Sequence, residues 1–289
     1  MPPRVLLAAC EALPRGDGDE DILLPALSRL GFDADWIVWD DPGNAAAEAD
    51  LVMLRATWDY SARRAEFLRW CESVPRLRNF ANVVRWNTDK AYLLELAGAG
   101  LSVVPTQLVA PGGQPEWPED DFVVKPSVGA GSRGAKRFSA GAMADAREHL
   151  AALHDGGYSV LVQPYQSDVD THGETAMVFI GGRYSHAFTK GAMLGGSAVD
   201  ASGLFVSERL EVADPGAALR SFAEDAMDAA ASVLGMPRTD LLYARVDVVR
   251  GADGAPTLLE FELAEPSLGL KLAGERAADR LAAAVGAVV

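Results

Sequence analysis

The stretches Arg245-Val246-Asp247 and Glu260-Phe261-Glu262 carry charged residues two apart inside runs rich in β-branched and aromatic side chains. In a strand that spacing puts both members of each pair on one face. The runs 242–249 and 257–262 flank Gly251-Ala252-Asp253-Gly254, a strong turn signal, and are expected to pair as a hairpin. A turn centred on Ala252-Asp253 sets Asp247 opposite Glu260 and Arg245 opposite Glu262. Val246, Val248, Phe261 and Leu263 then fill a core, and the acidic face is left to line a cleft. Three carboxylates on one face repel each other unless a cation compensates. Hard oxygen ligands of this kind suit magnesium, which takes a few carboxylates and completes its octahedron with water and phosphate oxygens. The ordinary alternative is a solvated strand face with an Arg–Glu pair; the apolar opposite faces argue against it.

A second set of residues offers positive charge and backbone donors. Lys125 ends an apolar run and is followed by Pro126, Ser127, Gly129, Gly131, Ser132 and Gly134, a loop of small residues whose N–H groups can cradle phosphates. The dinucleotide fingerprint needs a strand directly before and a helix directly after; here Lys125-Pro126-Ser127 intervenes and Arg137-Phe138 reads as a returning strand. The Walker pattern fails because Ala135 follows Gly134. What remains is a glycine hairpin folding over a triphosphate, against the commoner reading of a plain surface turn. Lys90, read in the first turn of a helix opening at Asn87 or Thr88, and Lys190, at the end of a strand, are further candidates for an anionic ligand. The acids of 17–21 resemble a calcium loop but lack its glycine and its terminal glutamate, so they read as a solvated loop. His149, His154, His172 and His186 have no zinc-site spacing, although His186 beside a strand is a candidate substrate contact.

These residues need elements to position them. The chain has 289 residues, 49% hydrophobic and 23% charged, within the range of soluble globular enzymes. A formal net charge of -15 disfavours nucleic acid and anionic membranes as partners, while a few convergent cations still allow a small anion in a cleft. Cys10 and Cys71 read as buried free thiols. No apolar run reaches the length of a membrane span, which places the chain in the cytoplasm. Strands are expected at 4–9, 34–39 and 50–54 with a helix at 19–31, giving an open parallel sheet. Arg55-Ala56-Thr57-Trp58-Asp59-Tyr60 follows the third strand directly, where ligands of such sheets sit. Helices at 61–74 and 87–100 precede a Pro/Gly-rich loop at 111–118, after which strands at 121–125, 159–163, 174–180, 183–189, 241–249 and 256–263 alternate with helices at 141–153, 216–234 and beyond 270. The segment 191–207 reads as a loop near the site.

Taken in order, Lys90, Lys125 with its glycine loop, Gln163-Pro164-Tyr165, Glu174, Lys190, Arg245-x-Asp247 and Glu260-x-Glu262 resemble the ATP-grasp ligases over residues 85–265. The resemblance implies a mixed α/β and α+β fold, with an N-terminal open parallel-sheet domain (1–86) followed by two α+β lobes (87–165 and 166–289) clasping ATP. It implies that Lys90 and Lys125 bind phosphates beneath the loop bearing Ser127, Gly129, Gly131 and Ser132. By the same likeness Gln163, Pro164 and Tyr165 contact adenine, Glu174 holds the ribose and Lys190 reaches the phosphates. Arg245 would stabilise the transferring phosphoryl group, and Asp247 and Glu260 would hold metal. Glu262 stands where the family usually has Asn, and is the third candidate ligand.

The wider pattern, Arg55-x-x-Trp58-Asp59-Tyr60, Asn87-x-x-Lys90-x-Tyr92-Leu93 and Glu260-x-Glu262-x-x-Glu265-Pro266-Ser267, resembles stand-alone ATP-grasp proteins of the glutathione-synthetase type. That group includes the ring-closing ligase that makes D-cycloserine from O-ureidoserine. The implied activity is carbon–nitrogen ligation or cyclo-ligation of a small amino-acid-like substrate through an acyl phosphate, with ATP and two Mg²⁺ ions. Arg55, Trp58, Asp59, Tyr60 and Ser267 are the expected substrate contacts. A small-molecule kinase and a non-catalytic ATP-binding regulator are the alternatives on the same scaffold. Related ligases are often dimers, which leaves a homodimer open.

Overall fold

The computed structural model describes residues 1–192, 200, 202–205, 209–251 and 253–289. The first unit contains β1 (Arg4–Ala9), α1 (Leu23–Arg29), β2 (Asp33–Val38), β3 (Leu51–Ala56), α2 (Arg64–Ser73) and β4 (Leu77–Arg78). Its strands run parallel in the order β2-β1-β3-β4. Every residue of β3 and all of β1 after Arg4 are buried, as expected for central strands covered on both faces. Trp58 and Tyr60 leave the carboxyl end of β3 in a short 3₁₀ turn.

The helix expected at 87–100 opens later, and a short helix that was not expected precedes it. α3 (Ala81–Asn87) ends where that helix was to begin, and α4 (Tyr92–Gly98) starts after a turn holding Lys90. The break has a physical cause: the Lys90 N–H donates to the Ser127 carbonyl at 2.8 Å, and Asp89 Oδ1 accepts the Ala91 N–H at 3.1 Å. Asn87 is therefore not an N-cap. The acids at 19 and 20 are not solvated either. Asp19 accepts the N–H groups of Leu268 and Lys271, and Glu20 pairs with buried Arg55 at 2.7 Å.

The second sheet is built from β5 (Gln107–Val109), β6 (Phe122–Pro126), β7 (Lys136–Phe138) and β8 (Val160–Pro164), with α5 (Met143–Asp155) between the last two. Its order is β5-β8-β6-β7, all antiparallel. Ala146 and Leu150 of α5 pack on Phe122, Val124, Phe138 and Val162. The glycine loop is thus the connection of a β6–β7 hairpin.

The third sheet follows α6 (Val169–His172) and contains β9 (Glu174–Ile180), β10 (Arg183–Lys190), β11 (Leu210–Ala213), β12 (Tyr243–Arg250) and β13 (Pro256–Glu262), with α7 (Ala217–Leu234) before β12. The antiparallel order is β11-β10-β9-β12-β13. β12 and β13 pair as the alternation requires, Arg245 with Glu262 and Asp247 with Glu260. A bulge follows Asp247, since Val248 pairs with Leu258 and leaves Leu259 as the extra residue. Val246, Val248, Phe261 and Leu263 are buried with Ala223, Ala226 and Met227 of α7. Ala252, half of the expected turn centre, and most of the expected 191–207 loop lie outside the described residues.

α8 (Leu270–Ala273) and α9 (Glu275–Gly286) carry the chain back to the first sheet. Ala278, Leu281 and Val285 of α9 share a core with Leu23 and Leu27 of α1 and Val5 and Leu7 of β1. Cys10 and Cys71 are buried and free. No helix among the described residues is long and apolar enough to cross a membrane.

Two buried asparagines join the first unit to the acidic hairpin. Asn79 donates to the carbonyls of Tyr243 and Leu263 at 2.8 Å and accepts the Leu242 N–H at 2.7 Å. Asn87 donates to Phe261 O and accepts the N–H groups of Leu263 and Ala264. Each side chain serves three backbone groups that have no access to water. Asn79→Ala removes the partner of a buried N–H and of two carbonyls, and is expected to lower stability by about 2–4 kcal/mol in a denaturant titration. A loss below about 1 kcal/mol, the value of one ordinary hydrogen bond, would show that the junction does not depend on this side chain.

Candidate active site

Lys125 sits on β6, Glu174 at the start of β9, Lys190 at the end of β10, Arg245 and Asp247 on β12, and Glu260 and Glu262 on β13. β10, β9, β12 and β13 are consecutive neighbours in the third sheet, so their residues converge on one patch. Lys190 Nζ reaches Asp247 Oδ2 at 2.7 Å and Glu174 Oε2 at 2.8 Å. Arg245 donates Nε to Asp247 Oδ1 at 2.9 Å and also contacts Glu262. Lys125 Nζ closes the network on Glu260 Oε1 at 2.9 Å. Three cations hold four carboxylates.

The titration behaviour follows from burial against these contacts. Burial opposes charge on Asp247 and Glu260, but Arg245 and Lys190 around the first, and Lys125, Lys90 and Lys190 around the second, outweigh it and hold both below the usual carboxylate range. Burial raises Glu174, which Lys190 only partly offsets. Glu262 is pushed up to about 7 by burial, with Arg245 opposing and Asp247 and Glu260 adding to the rise. Glu265 is likewise pushed up to about 7, by burial first and then by the charge of Glu262.

Asp247, Glu260 and Glu262 each bring one carboxylate oxygen to within 4.8 Å of the others. Three hard oxygens converging beside lysines that can turn to phosphate fit a magnesium ion. Glu260 and Glu262 of this cluster line an open cleft, with Asp247 buried behind them. Lys90, Lys125, Gly129, Gly131, Ser132, Gln163, Pro164, Tyr165, Glu174, Lys190, Glu260 and Glu262 all line it, as do Trp58 and Tyr60. Val123, opposite Gln163 of β8, and Val169 and Leu259 add apolar surface to the lining, suited to a flat heterocycle.

The glycine loop closes over this cleft. Lys90 Nζ donates to Gly129 O at 2.8 Å, and Arg133 from the loop donates to Trp58 O and to Ser61 Oγ at 2.9 Å. Gly131 has φ +61°, and a Cβ there would lie 2.2 Å from Leu204 O, so no larger residue fits that approach.

Several expected contacts fall elsewhere. Arg55 is 1% exposed, pairs with Glu20 and donates to Pro266 O, so it carries structure and does not face the cleft. Asp59 accepts Trp39 Nε1 and pairs with Arg63, which commits its carboxylate outside the cleft. Ser127 is buried, its N–H bonded to Ser159 O and its carbonyl to Lys90. Ser267 is absent from the cleft lining but accepts Arg245 Nη1 on its carbonyl at 2.9 Å. His186 is spent on Leu268 O at 2.7 Å. The Tyr165 N–H, expected to face adenine, bonds to Asp121 O at 2.8 Å. Asp247 and Arg245 lie behind the lining, 0% and 6% exposed.

Arg133, Tyr92, Asn87 and Glu265 line the cleft without having been singled out for it. A lone arginine in a run of small residues was the available signal for Arg133. Glu265 stands in the Glu260-x-Glu262-x-x-Glu265-Pro266-Ser267 pattern, but its place in the cleft depends on contacts with residues about 200 positions earlier.

The family model of the N-terminal domain of D-cycloserine synthetase DcsG matches residues 5–82. The crystal structure of D-cycloserine synthetase DcsG superposes with a TM-score of 0.88 at 36% identity, covering 98% of this chain and 99% of that one. D-alanine–D-alanine ligase from Bacillus anthracis, complexed with ATP, shares the fold at a TM-score of 0.67 and 16% identity over 99% and 96% of the two chains. The cycloserine biosynthesis protein DcsG of Streptomyces lavendulae is 38% identical over 269 residues, 88% of each chain. With that identity over that length, the chain belongs to the D-cycloserine synthetase family of ATP-grasp ligases.

Proposed function

We propose that this chain is a magnesium- and ATP-dependent cyclo-ligase that joins carbon to nitrogen within a small amino-acid derivative of the O-ureidoserine type. The observation that carries the reading is the network of Lys125, Lys190 and Arg245 with Asp247, Glu260 and Glu262 on the wall of a cleft roofed by the glycine loop. No side chain there needs to act as a nucleophile, because phosphoryl transfer is achieved mainly by positioning and charge neutralisation. Asp247, Glu260 and Glu262 would hold magnesium, two ions in this reading, which supplies charge neutralisation along the triphosphate. Lys90 and Lys125 bind phosphate oxygens, and Glu174 faces the ribose. Gln163, Pro164 and Tyr165 border the base. Lys190 and Arg245 stabilise the charge on the phosphoryl group as it passes to the substrate carboxylate. The glycine loop, fastened through Arg133, keeps water from the acyl phosphate until nitrogen attacks its carbon. Residues 1–86 form the N-terminal α/β domain, 87–165 the first ATP-grasp lobe and 166–289 the second. A cytoplasmic location and a homodimer accord with this reading.

Incubation with ATP, Mg²⁺ and O-ureidoserine is expected to release ADP and phosphate in equal amounts with a ring-closed product, followed by mass spectrometry. ADP release with a stable phosphorylated substrate would instead make the protein a kinase. No ADP release across a panel of acids and amines would leave only nucleotide binding. Chelation of Mg²⁺ is expected to stop turnover and its return to restore it. Glu260→Gln, which keeps the side chain's shape and removes its charge, is expected to lower kcat/KM for ATP by about 100-fold or more. Turnover within a few-fold of the parent protein would remove Glu260 from the metal site.

A further inference from the structure

The carboxylates of the cleft fall into two groups. Glu174, Asp247, Glu260 and Glu262 each touch a lysine or arginine. Glu265 also lines the cleft and is 7% exposed, yet among the described residues no Lys, Arg or His forms an ion pair with it. Its hydrogen-bond partner is the neutral Tyr60 hydroxyl, with Lys90 and Arg245 acting on it only through space. One neutral donor leaves most of a carboxylate's acceptor capacity open. A buried carboxylate in that condition favours an incoming cation.

The backbone around Glu265 is held on all sides. Ala264 N–H goes to Asn87 and its carbonyl to Tyr243 at 3.0 Å. The Glu265 carbonyl accepts Trp58 Nε1 at 3.0 Å, the Pro266 carbonyl accepts Arg55, and the Ser267 carbonyl accepts Arg245. Leu268 N–H goes to Asp19 at 3.2 Å. Side chains from the first unit and from β12 thus fix five consecutive residues, and Glu265 cannot swing away to meet a distant partner. Rigid support of this kind is what an orienting contact to substrate requires. Trp58 and Tyr60 border the same corner and add aromatic surface, which is compatible with an ammonium.

We propose that Glu265, flanked by Tyr60 and Trp58, seats the protonated amine of the substrate and so selects α-amino acids over acids that lack the amine. The assignment rests on the ligase reading above and specifies its substrate class. An ammonium brings three donors and a charge to a carboxylate that has one neutral donor; a hydrogen or hydroxyl at the same carbon does not. The substrate carboxyl is then directed from this corner toward the lysines and the metal ligands, which line the same cleft.

The test is calorimetric and needs no turnover. With Mg²⁺ and a non-hydrolysable ATP analogue present, O-ureidoserine is compared with 3-(ureidooxy)propanoate, the same chain without its amine. The unmodified protein is expected to bind the amine-free acid about 10- to 100-fold more weakly, the range of a charge-assisted hydrogen bond. In Glu265→Gln, whose amide oxygen still accepts from Tyr60, that gap is expected to disappear through loss of affinity for O-ureidoserine, while affinity for the nucleotide analogue is unchanged. Equal binding of the two acids by the unmodified protein, or a gap retained in Glu265→Gln, overturns the proposal. Discrimination without any ring-closed product would reject the cyclo-ligase reading and leave the amine seat standing. Should O-ureidoserine not bind, serine and 3-hydroxypropanoate, then alanine and propanoate, take its place, and no preference for the amine in any pair overturns the proposal.

Discussion

Mutual repulsion among carboxylates on neighbouring strands is the constraint around which this molecule is arranged. Glu174, Asp247, Glu260 and Glu262 stand on three adjacent strands of one sheet, two of them almost fully removed from water. Leaving such charges unpaired in a low-dielectric interior would cost more than the sheet can supply. Lys190, Arg245 and Lys125 resolve this, and each comes from a different strand, two in the same sheet and one in the sheet above. Lys125 differs from the others because its contact with Glu260 ties the second sheet to the third. That ion pair joins β6 to β13.

The first unit reaches that cluster through the chain after β13. Asn79 and Asn87 hold its first residues, Trp58, Arg55 and Asp19 its later ones, and α9 returns to pack on α1. Hydrogen bonds dominate this junction because the segment 263–268 is irregular and its backbone groups have no strand partner. Buried irregular backbone must find side-chain donors and acceptors. This is why Arg55 and Asp19, charged residues in a conspicuous sequence context, turn out to serve carbonyls and amides and not a ligand.

What alternation and turn chemistry control was legible in advance. The register of Asp247 with Glu260 follows from period two and a glycine-bounded turn, both local properties, and the convergence of Lys90, Lys125 and Lys190 was reached through their order along the chain. The α3–α4 break was not legible, because it depends on a hydrogen bond from Lys90 to Ser127, a residue distant in sequence. Arg55 and Asp59 misled for a related reason. Position after a parallel strand predicts proximity to a ligand, but proximity does not decide whether a side chain turns toward the cleft or toward Glu20 and Arg63. Glu265 lies at the far end of the same difficulty, its surroundings supplied by residues 55–60.

Glu262 in place of the asparagine usual in ATP-grasp proteins adds one negative charge to the cluster, and the structure shows what accommodates it. Arg245 spans Asp247 and Glu262 at once, so the added charge is met by a guanidinium that already faced the sheet. A planar fork can serve two carboxylates in this way, whereas a lysine could not do so with the same geometry. The arrangement has a second effect on the neighbouring corner. Burial first, and then the charge of Glu262, push Glu265 up to about 7. Glu262 thus bears on two places: it shares Arg245 with Asp247, and its charge reaches the corner where Glu265 stands.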